Sequence, residues 1–255
     1  MYIIGTSVGA GAHRLWSHKS YKASTPLKIW LMVGHTLGGH NSVFTWARDH
    51  RVHHKFSDQD GDPHNTKRGF FFSHCGWLLR KKHPELIVKS SGILFTDLYE
   101  DSVLTFQRKN YLSLYFMIGF VIPTTIPVVF WGETLLNSFF VTYAWRLVNT
   151  LHGTWFVNSA GHMFGDKPYD TRIKPVENWM VSFGSAGEGY HNYHHTFPYD
   201  YATSELGYLH NVTKRFIDAC AVLGLASDLR KPSREAIQRQ KDKCATSHSD
   251  DFDKY

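Results

Sequence analysis

Three histidine clusters carry the chemistry of this sequence: His13-Arg-Leu-Trp-Ser-His18, His50-Arg-Val-His53-His54 and His191-Asn-Tyr-His194-His195. Imidazole ligates zinc, copper, iron and nickel about equally well, so the ligand type does not name the metal. The number of ligands says more. One zinc ion takes three or four protein ligands, whereas these clusters supply eight, which suits two metal ions. His50, His53 and His54 stand at i, i+3 and i+4, on one face of a helix. His191, His194 and His195 repeat that spacing. His13 and His18 lie five residues apart, about 140° around an α-helix, so the chain is expected to unwind between them.

A ninth candidate ligand is His162, in Asn158-Ser-Ala-Gly-His162, with Asn158 one turn earlier and placed to hold a metal-bound water. Soluble di-iron bundles use Glu together with Glu-x-x-His pairs. Only Glu188-Gly-Tyr-His191 matches that here, so Glu188 is expected to orient an imidazole. His35, His64, His74, His83, His152, His210 and His248 read as ordinary core or surface residues. No carboxylate stands inside a histidine triad as in HExxH, which argues against a zinc hydrolase.

The elements that position these residues are membrane-like. Residues 111–131 read YLSLYFMIGFVIPTTIPVVFW without a charge, and LLNSFFVTYAWRLVNTLHGTWFV follows after Gly132-Glu133-Thr134. Each run is about 20 residues, enough to cross a bilayer as a helix, so 110–131 and 134–156 form a helical hairpin. Pro123 and Pro127 suit a membrane helix whose neighbours satisfy the freed carbonyls. An arginine at mid-membrane costs about 2.5–3.5 kcal/mol, so Arg146 is expected to face the bundle interior. Residues 1–12 are apolar but too short to span, and read as the end of a membrane helix whose beginning lies outside this chain. The polar blocks 13–109 and 157–230 then fall on one side of the membrane, the cytosolic side, and bring all the clusters to one face.

The net charge of +6 is spread over the two polar blocks. It fits the positive-inside rule better than nucleic-acid binding. Cys75, Cys220 and Cys244, with no CxxC spacing, read as free thiols in a reducing compartment. Asn211-Val-Thr213 matches the glycosylation pattern but lies in a block placed in the cytosol. Leu206 to Leu229 carries a helical apolar rhythm (Leu209, Val212, Phe216, Cys220, Leu223). Residues 231–255 are charged, Ser-containing and expected to be disordered. The fold class is all-α, with membrane helices under a helical cap. An almost wholly histidine two-metal site on such a scaffold points to oxygen chemistry on a lipid.

Five segments carry a family resemblance: GAHRLWSHKSYKA (11–23), WARDHRVHHKFSD (46–58), RGFFFSHCGWLL (68–79), NSAGHMFG (158–165) and EGYHNYHHTFP (188–198). They resemble the acyl-CoA desaturases of animals, most closely the carbon-9, stearoyl-CoA type and its insect relatives. The match runs from about Tyr2 to Leu229. The resemblance implies four membrane helices of the endoplasmic reticulum under a cytosolic cap with two Fe(2+) ions and a bent acyl tunnel. It makes His13, His18, His50, His53, His54, His162, His191, His194 and His195 the iron ligands, with Asn158 reaching one iron through water.

Coenzyme A contacts fall by resemblance on Asn41, Trp46, Arg48, Asp49, Lys81, Lys82 and Trp155. The implied reaction uses O2 and two electrons from a cytochrome b5-type donor, drawn to basic cap surface, to place a cis double bond in a saturated fatty acyl-CoA. Two competing readings share the histidine pattern: a membrane alkane or lipid hydroxylase, and a non-catalytic shortened form that binds iron or regulates a full-length enzyme. The sequence departs from the family at three places. His40 stands where relatives usually carry Gln beside the tunnel bend. Lys81-Lys82 replaces a common Arg-Lys, which keeps charge without the bidentate fork. The first membrane helix and most of the second are not in this chain, and by resemblance the tunnel end falls near Met1–Gly5.

Overall fold

A computed structural model describes residues 1–206 and 211–252 of the chain, with side chains as far as residue 246. The chain opens with α1 (Tyr2–Thr6), which runs on as a π-helix over Ser7–Ser17. Next come α2 (Thr25–Gly38) and α3 (Val43–Phe56). Pro26 in its first turn suits the start of α2, and left-handed Gly39 (φ 73°) ends it. The Ser42 hydroxyl caps α3 by accepting from Thr45 N. These three elements supply much of the main core, where Ala10, Leu15, Leu31, Val43 and Phe44 are buried together with Leu104 and Ile217 from later segments. Burying a side chain such as Leu31 contributes about 1.5–3 kcal/mol.

Two glycines set how closely the first helix meets α2. A Cβ on Gly34 would stand 2.1 Å from Ser7 Oγ, and one on Gly11 would stand 3.1 Å from Leu31 Cβ.

The hairpin follows. Helix α4 runs continuously over Ser102–Trp131 and, among the described residues, is the one helix long and apolar enough to cross a membrane. Only 17% of its most apolar stretch is buried, unlike the core helix of a soluble bundle. Gly132 (φ 68°) ends it, and Thr134 caps the return by accepting from Asn137 N. The return path is helical from Leu135 and ends as α5 (Arg146–Asn158). The two arms lie antiparallel, with Phe120 against Tyr143 at 4.9 Å between ring centres and Ser138 Oγ donating to Thr124 O.

Arg146 is buried and faces the interior. Its guanidinium donates to Gly119 O, Leu37 O and Thr142 O. Gly119 lies in the π-wound stretch Tyr115–Val121 just before Pro123, and Arg146 donates to its carbonyl. The same side chain reaches the exposed carbonyl end of α2, tying hairpin to cap.

The second polar block holds α6 (His191–Thr196) and α7 (Val212–Val222). Helix α7 is shorter than the rhythm from Leu206 to Leu229 predicts. Asn211 caps it by accepting from Lys214 N, and Gly224 (φ 70°) follows its end. Ala226–Ser227 then pairs with Lys22–Ala23 as a two-residue ladder. Leu209 and His210 lie outside the described residues. Asn211 is fully buried and donates to Ala202 O, so it offers no surface for a glycan.

The tail differs from expectation. Instead of disorder it forms α8 (Arg234–Phe252), whose Ile237, Gln240, Lys241 and Cys244 dock against the second block. That spacing, i, i+3, i+4 and i+7, makes one helix face. A composition count misses it, because only Ile237 is strongly apolar. The side chain of His248 lies outside the described residues.

Candidate metal centre

The cap folds the nine histidines into two adjoining cups. His13, His18, His50, His54 and His194 form one and His53, His162, His191 and His195 the other, each with its ligand nitrogens within 4.8 Å of one another. The α3 triad and the α6 triad each divide between the cups. The stacked rings of His54 and His195, 4.0 Å apart at 11°, form the shared wall.

The first pair comes together by a route other than unwinding. The segment Ser7–Ser17 is wound as a π-helix, and His18 N donates to His13 O, five residues back. An i→i+5 winding brings residues five apart onto one face.

The Nε2 atoms converge. His13 to His194 is 2.9 Å, His54 to His194 2.8 Å and His18 to His50 2.9 Å. In the second cup His162 to His191 is 3.1 Å and His191 to His195 3.2 Å. Behind three of these rings stands a buried carboxylate on Nδ1. Glu188 takes His13 at 2.7 Å, Asp62 takes His53 at 2.9 Å and Asp58 takes His162 at 2.9 Å. A proton held on Nδ1 leaves Nε2 as a bare lone pair. His194 Nε2 touches two neighbouring Nε2 atoms, and one proton cannot satisfy both. Such a set fits cations. Nitrogens about 2.0–2.1 Å from one metal ion stand about 3 Å apart when adjacent, as they do here.

The electrostatics agree. Burial drives the pKa values of His18, His50, His54, His191, His194 and His195 well below 6.5, with neighbouring imidazoles adding to the effect. These rings are neutral and ready to ligate. Burial pushes Asp62 upward, but His53 and His64 outweigh it and hold it at about 2. Asp58 is likewise pushed up by burial and held well below the usual range by His162. The two cups contain no carboxylate ligand, so two divalent ions would bring four positive charges. The three carboxylates offset most of that charge from behind the rings.

Sequence reasoning anticipated Glu188 and missed Asp58 and Asp62. The visible signal was Asp58-x-x-x-Asp62-Pro-His64, just after the α3 triad. His64, read as ordinary, is buried 4.2 Å from the His53 ring and 3.7 Å from Asp62. Burial lowers it to about 3. His53, Asp62 and His64 form a third potential ligand group, but Asp62 there uses the outer nitrogen of His53. His74 and His152, also read as ordinary, bond to each other at 2.9 Å, and His74 reaches Ser159 Oγ.

Two cavities meet at the cups. The inner one passes His13, His50, His53 and His191 and runs along the first helix by Val8 and Gly5 to Met1. The outer one is lined by Asn41, Asp49, Trp77 and Trp155. His40, Trp46, His50, Thr154 and Asn158 line both. Trp46 stacks on His50 at 4.8 Å. Arg48 and Lys82 are both committed to Asp49, with Lys82 Nζ at 2.8 Å from each carboxylate oxygen. Lys81 is exposed at the surface nearby.

Residues 1–223 match the family model described as fatty acid desaturase. The chain belongs to the fatty acid desaturase family. Over 225 residues, 88% of this chain and 63% of the relative, it is 56% identical to an acyl-CoA Delta12-desaturase of Acheta domesticus. An acyl-CoA Delta-9 desaturase of the same species is 53% identical over 239 residues, 93% of this chain and 67% of the relative. The human stearoyl-CoA desaturase is 51% identical over 236 residues, 92% of this chain and 66% of the relative. The chain thus spans about two thirds of the length of these desaturases. Its three free cysteines, Cys75, Cys220 and Cys244, form no disulfide.

Proposed function

We propose that this chain carries the catalytic core of an acyl-CoA desaturase, which uses O2 and two electrons to place a cis double bond in a fatty acyl-CoA. The observation that carries the reading is the pair of imidazole cups opening onto a cavity lined by apolar first-helix residues. Bound by the nine histidines, two iron ions would supply the redox chemistry that activates O2 and removes two hydrogens from adjacent methylenes.

The protein's own part is placement. Each methylene buried in the inner cavity contributes about 0.8 kcal/mol, so the acyl tail binds readily. Val8, Gly5 and the α5 wall would fix its depth, and holding one C–C bond against the cups selects the reaction. Trp46 and Asn158 line both cavities, and Asn158 would hold a water beside the cups. The coenzyme A end would lie in the outer cavity, with Asn41, Trp155 and the Arg48–Asp49–Lys82 cluster at its mouth and Lys81 outside it. Arg and Lys suit its phosphates.

The hairpin would anchor the chain in the endoplasmic reticulum membrane, with the cups on the cytosolic face. Basic cap surface would then face a cytochrome b5-type donor.

Carbon 9 is the position we favour, from the named Delta-9 and stearoyl-CoA relatives. The Delta12 name of another relative supports carbon 12 as a second reading, and His40, which lines both cavities, stands where bond position would be set.

Expression in a yeast strain lacking its own desaturase, with chromatography of the lipids, tests both. New monounsaturated acyl chains that vanish in His54→Ala are expected, and bond position separates carbon 9 from carbon 12. An iron-loaded, membrane-bound chain that makes no double bond would favour a non-catalytic role, and a hydroxylated product would favour the hydroxylase.

A further inference from the structure

Helix α8 begins eleven residues beyond the matched family region, which ends at residue 223, yet it docks directly behind the last histidine triad. That triad sits on α6, a helix of only six residues. A helix this short does not hold itself in water.

Two of its three ligands also lack an outer tether. His13, His53 and His162 have carboxylates on Nδ1, whereas His191 Nδ1 and His194 Nδ1 are buried without a hydrogen-bond partner. Metal-binding histidines usually depend on such a partner for orientation. Packing on the back of its helix therefore bears directly on the aim of this triad.

The back of α6 is an aromatic pad. Tyr193 and Phe197 pack on Tyr169, with Tyr169 and Tyr193 at 5.0 Å between ring centres. Asn192, buried between the ligands, accepts from Tyr169 N and donates to Asp170 O and Pro175 O. Helix α8 closes this pad from outside. Ile237 packs against it, Gln240 Nε2 donates to Tyr169 O at 2.9 Å and Cys244 Sγ lies 3.3 Å from Lys167 O. Lys241 pairs with Glu205, whose carboxylate also accepts from the Tyr169 hydroxyl. The contacts at i, i+3 and i+7 fall on Lys167–Tyr169 and its pad, and the one at i+4 reaches Tyr169 through Glu205.

We propose that α8 is a brace that fixes the aim of His191, His194 and His195 by locking Tyr169 and its aromatic pad, and so slows loss of metal from both cups. Ile237, Gln240 and Lys241 are positioning residues in this role and touch no ligand. The proposal rests on the metal-binding reading of the cups. Removing an outer support typically costs 10–100-fold in metal affinity, and the brace acts one step further out, so about a tenfold effect is expected.

The test measures iron loss from the purified full chain to a chromogenic chelator, together with the optical spectrum of the bound metal. Ile237→Asp and the milder Gln240→Ala should each release iron about tenfold faster and alter the spectrum. Ile237→Leu, which keeps the packing, and Lys243→Ala, on the exposed face, should match the parent. Ile237→Asp and Gln240→Ala chains that hold two irons with the parent's release rate and spectrum overturn the brace. A parent chain that binds no iron overturns the metal reading itself, and the brace with it.

Discussion

Replacing Glu188 by Gln changes one atom in a buried site and should cost the first cup its metal. Glu188 Oε2 accepts from His13 Nδ1 at 2.7 Å, and Oε1 accepts from Arg14 Nη2 at 2.7 Å. Arginine has only donors, so the amide that Glu188→Gln introduces must turn its oxygen to Arg14 and its NH2 to His13. His13 Nδ1 then has to accept, and its proton moves to Nε2, the atom that faces His194. A protonated Nε2 cannot ligate. The usual loss of 10–100-fold in metal affinity for such a change corresponds to about 1.4–2.7 kcal/mol.

Stability should fall as well. Arg14 is fully buried and keeps Tyr201 O at 2.8 Å, Ala202 O and Asn211 Oδ1, but it loses its counter-charge. Breaking a buried pair costs about 3–5 kcal/mol, and the retained amide oxygen places Glu188→Gln at or below the lower end. Burial pushes the Glu188 pKa up, but Arg14 and His13 outweigh it and hold it at about 2. A lowered acid pKa stabilises the fold above the unfolded value of about 4.3. That contribution disappears as pH falls through about 2, so the parent and Glu188→Gln should differ fully at neutral pH. Metal content by mass spectrometry, chelator competition and thermal unfolding in detergent measure the two effects. Parent-like metal affinity in Glu188→Gln would refute the tautomer argument, and an unchanged midpoint would refute the buried-pair argument.

Two further outcomes are expected. Gly34→Ala places a Cβ 2.1 Å from Ser7 Oγ and 2.9 Å from Ser7 Cβ. Overpacking of this kind costs about 1–3 kcal/mol, which thermal unfolding would register as a drop of about 3–10 °C, and pairing it with Ser7→Gly should recover much of it. Burial raises the Glu177 pKa to about 7, against hydrogen bonds from the Tyr193 and Asn192 backbone. The folded state thus holds a proton that the unfolded chain releases near pH 4.3, so stability falls as pH rises from there to about 7, on the order of 3 kcal/mol in all. Glu177→Gln should flatten that slope in unfolding midpoints taken across pH 5–8, and a slope equal to the parent's would exclude Glu177 as its source.

The histidine spacing announced the centre because helix geometry converts sequence spacing directly into shared faces. His50, His53 and His54 needed nothing beyond that rule, and Arg146 needed only the high cost of an unpaired charge in an apolar hairpin. What stayed hidden depended on contacts between distant segments or on an unusual winding. His13 and His18 cannot share a face of an α-helix, and the sequence contains no proline there to announce a break. Tight packing of Gly9, Gly11 and Gly34 allows the wider winding to fit: a Cβ on Gly9 would stand 2.6 Å from Glu188 Oε1. The same glycine thus lets the carboxylate approach that fixes His13.

The carboxylates Asp58 and Asp62 were visible as residues but not as partners, since their role follows from charge balance rather than spacing. An all-imidazole shell is neutral and brings no negative charge to two dications in a buried site. Some anion must lie close behind, and it must approach through Nδ1, because Nε2 would be spent on metal. That requirement selects carboxylates facing the outer edges of the rings. His191 and His194 have no such partner on Nδ1, which is why the proposed brace falls on the α6 triad and not on His13, His53 or His162.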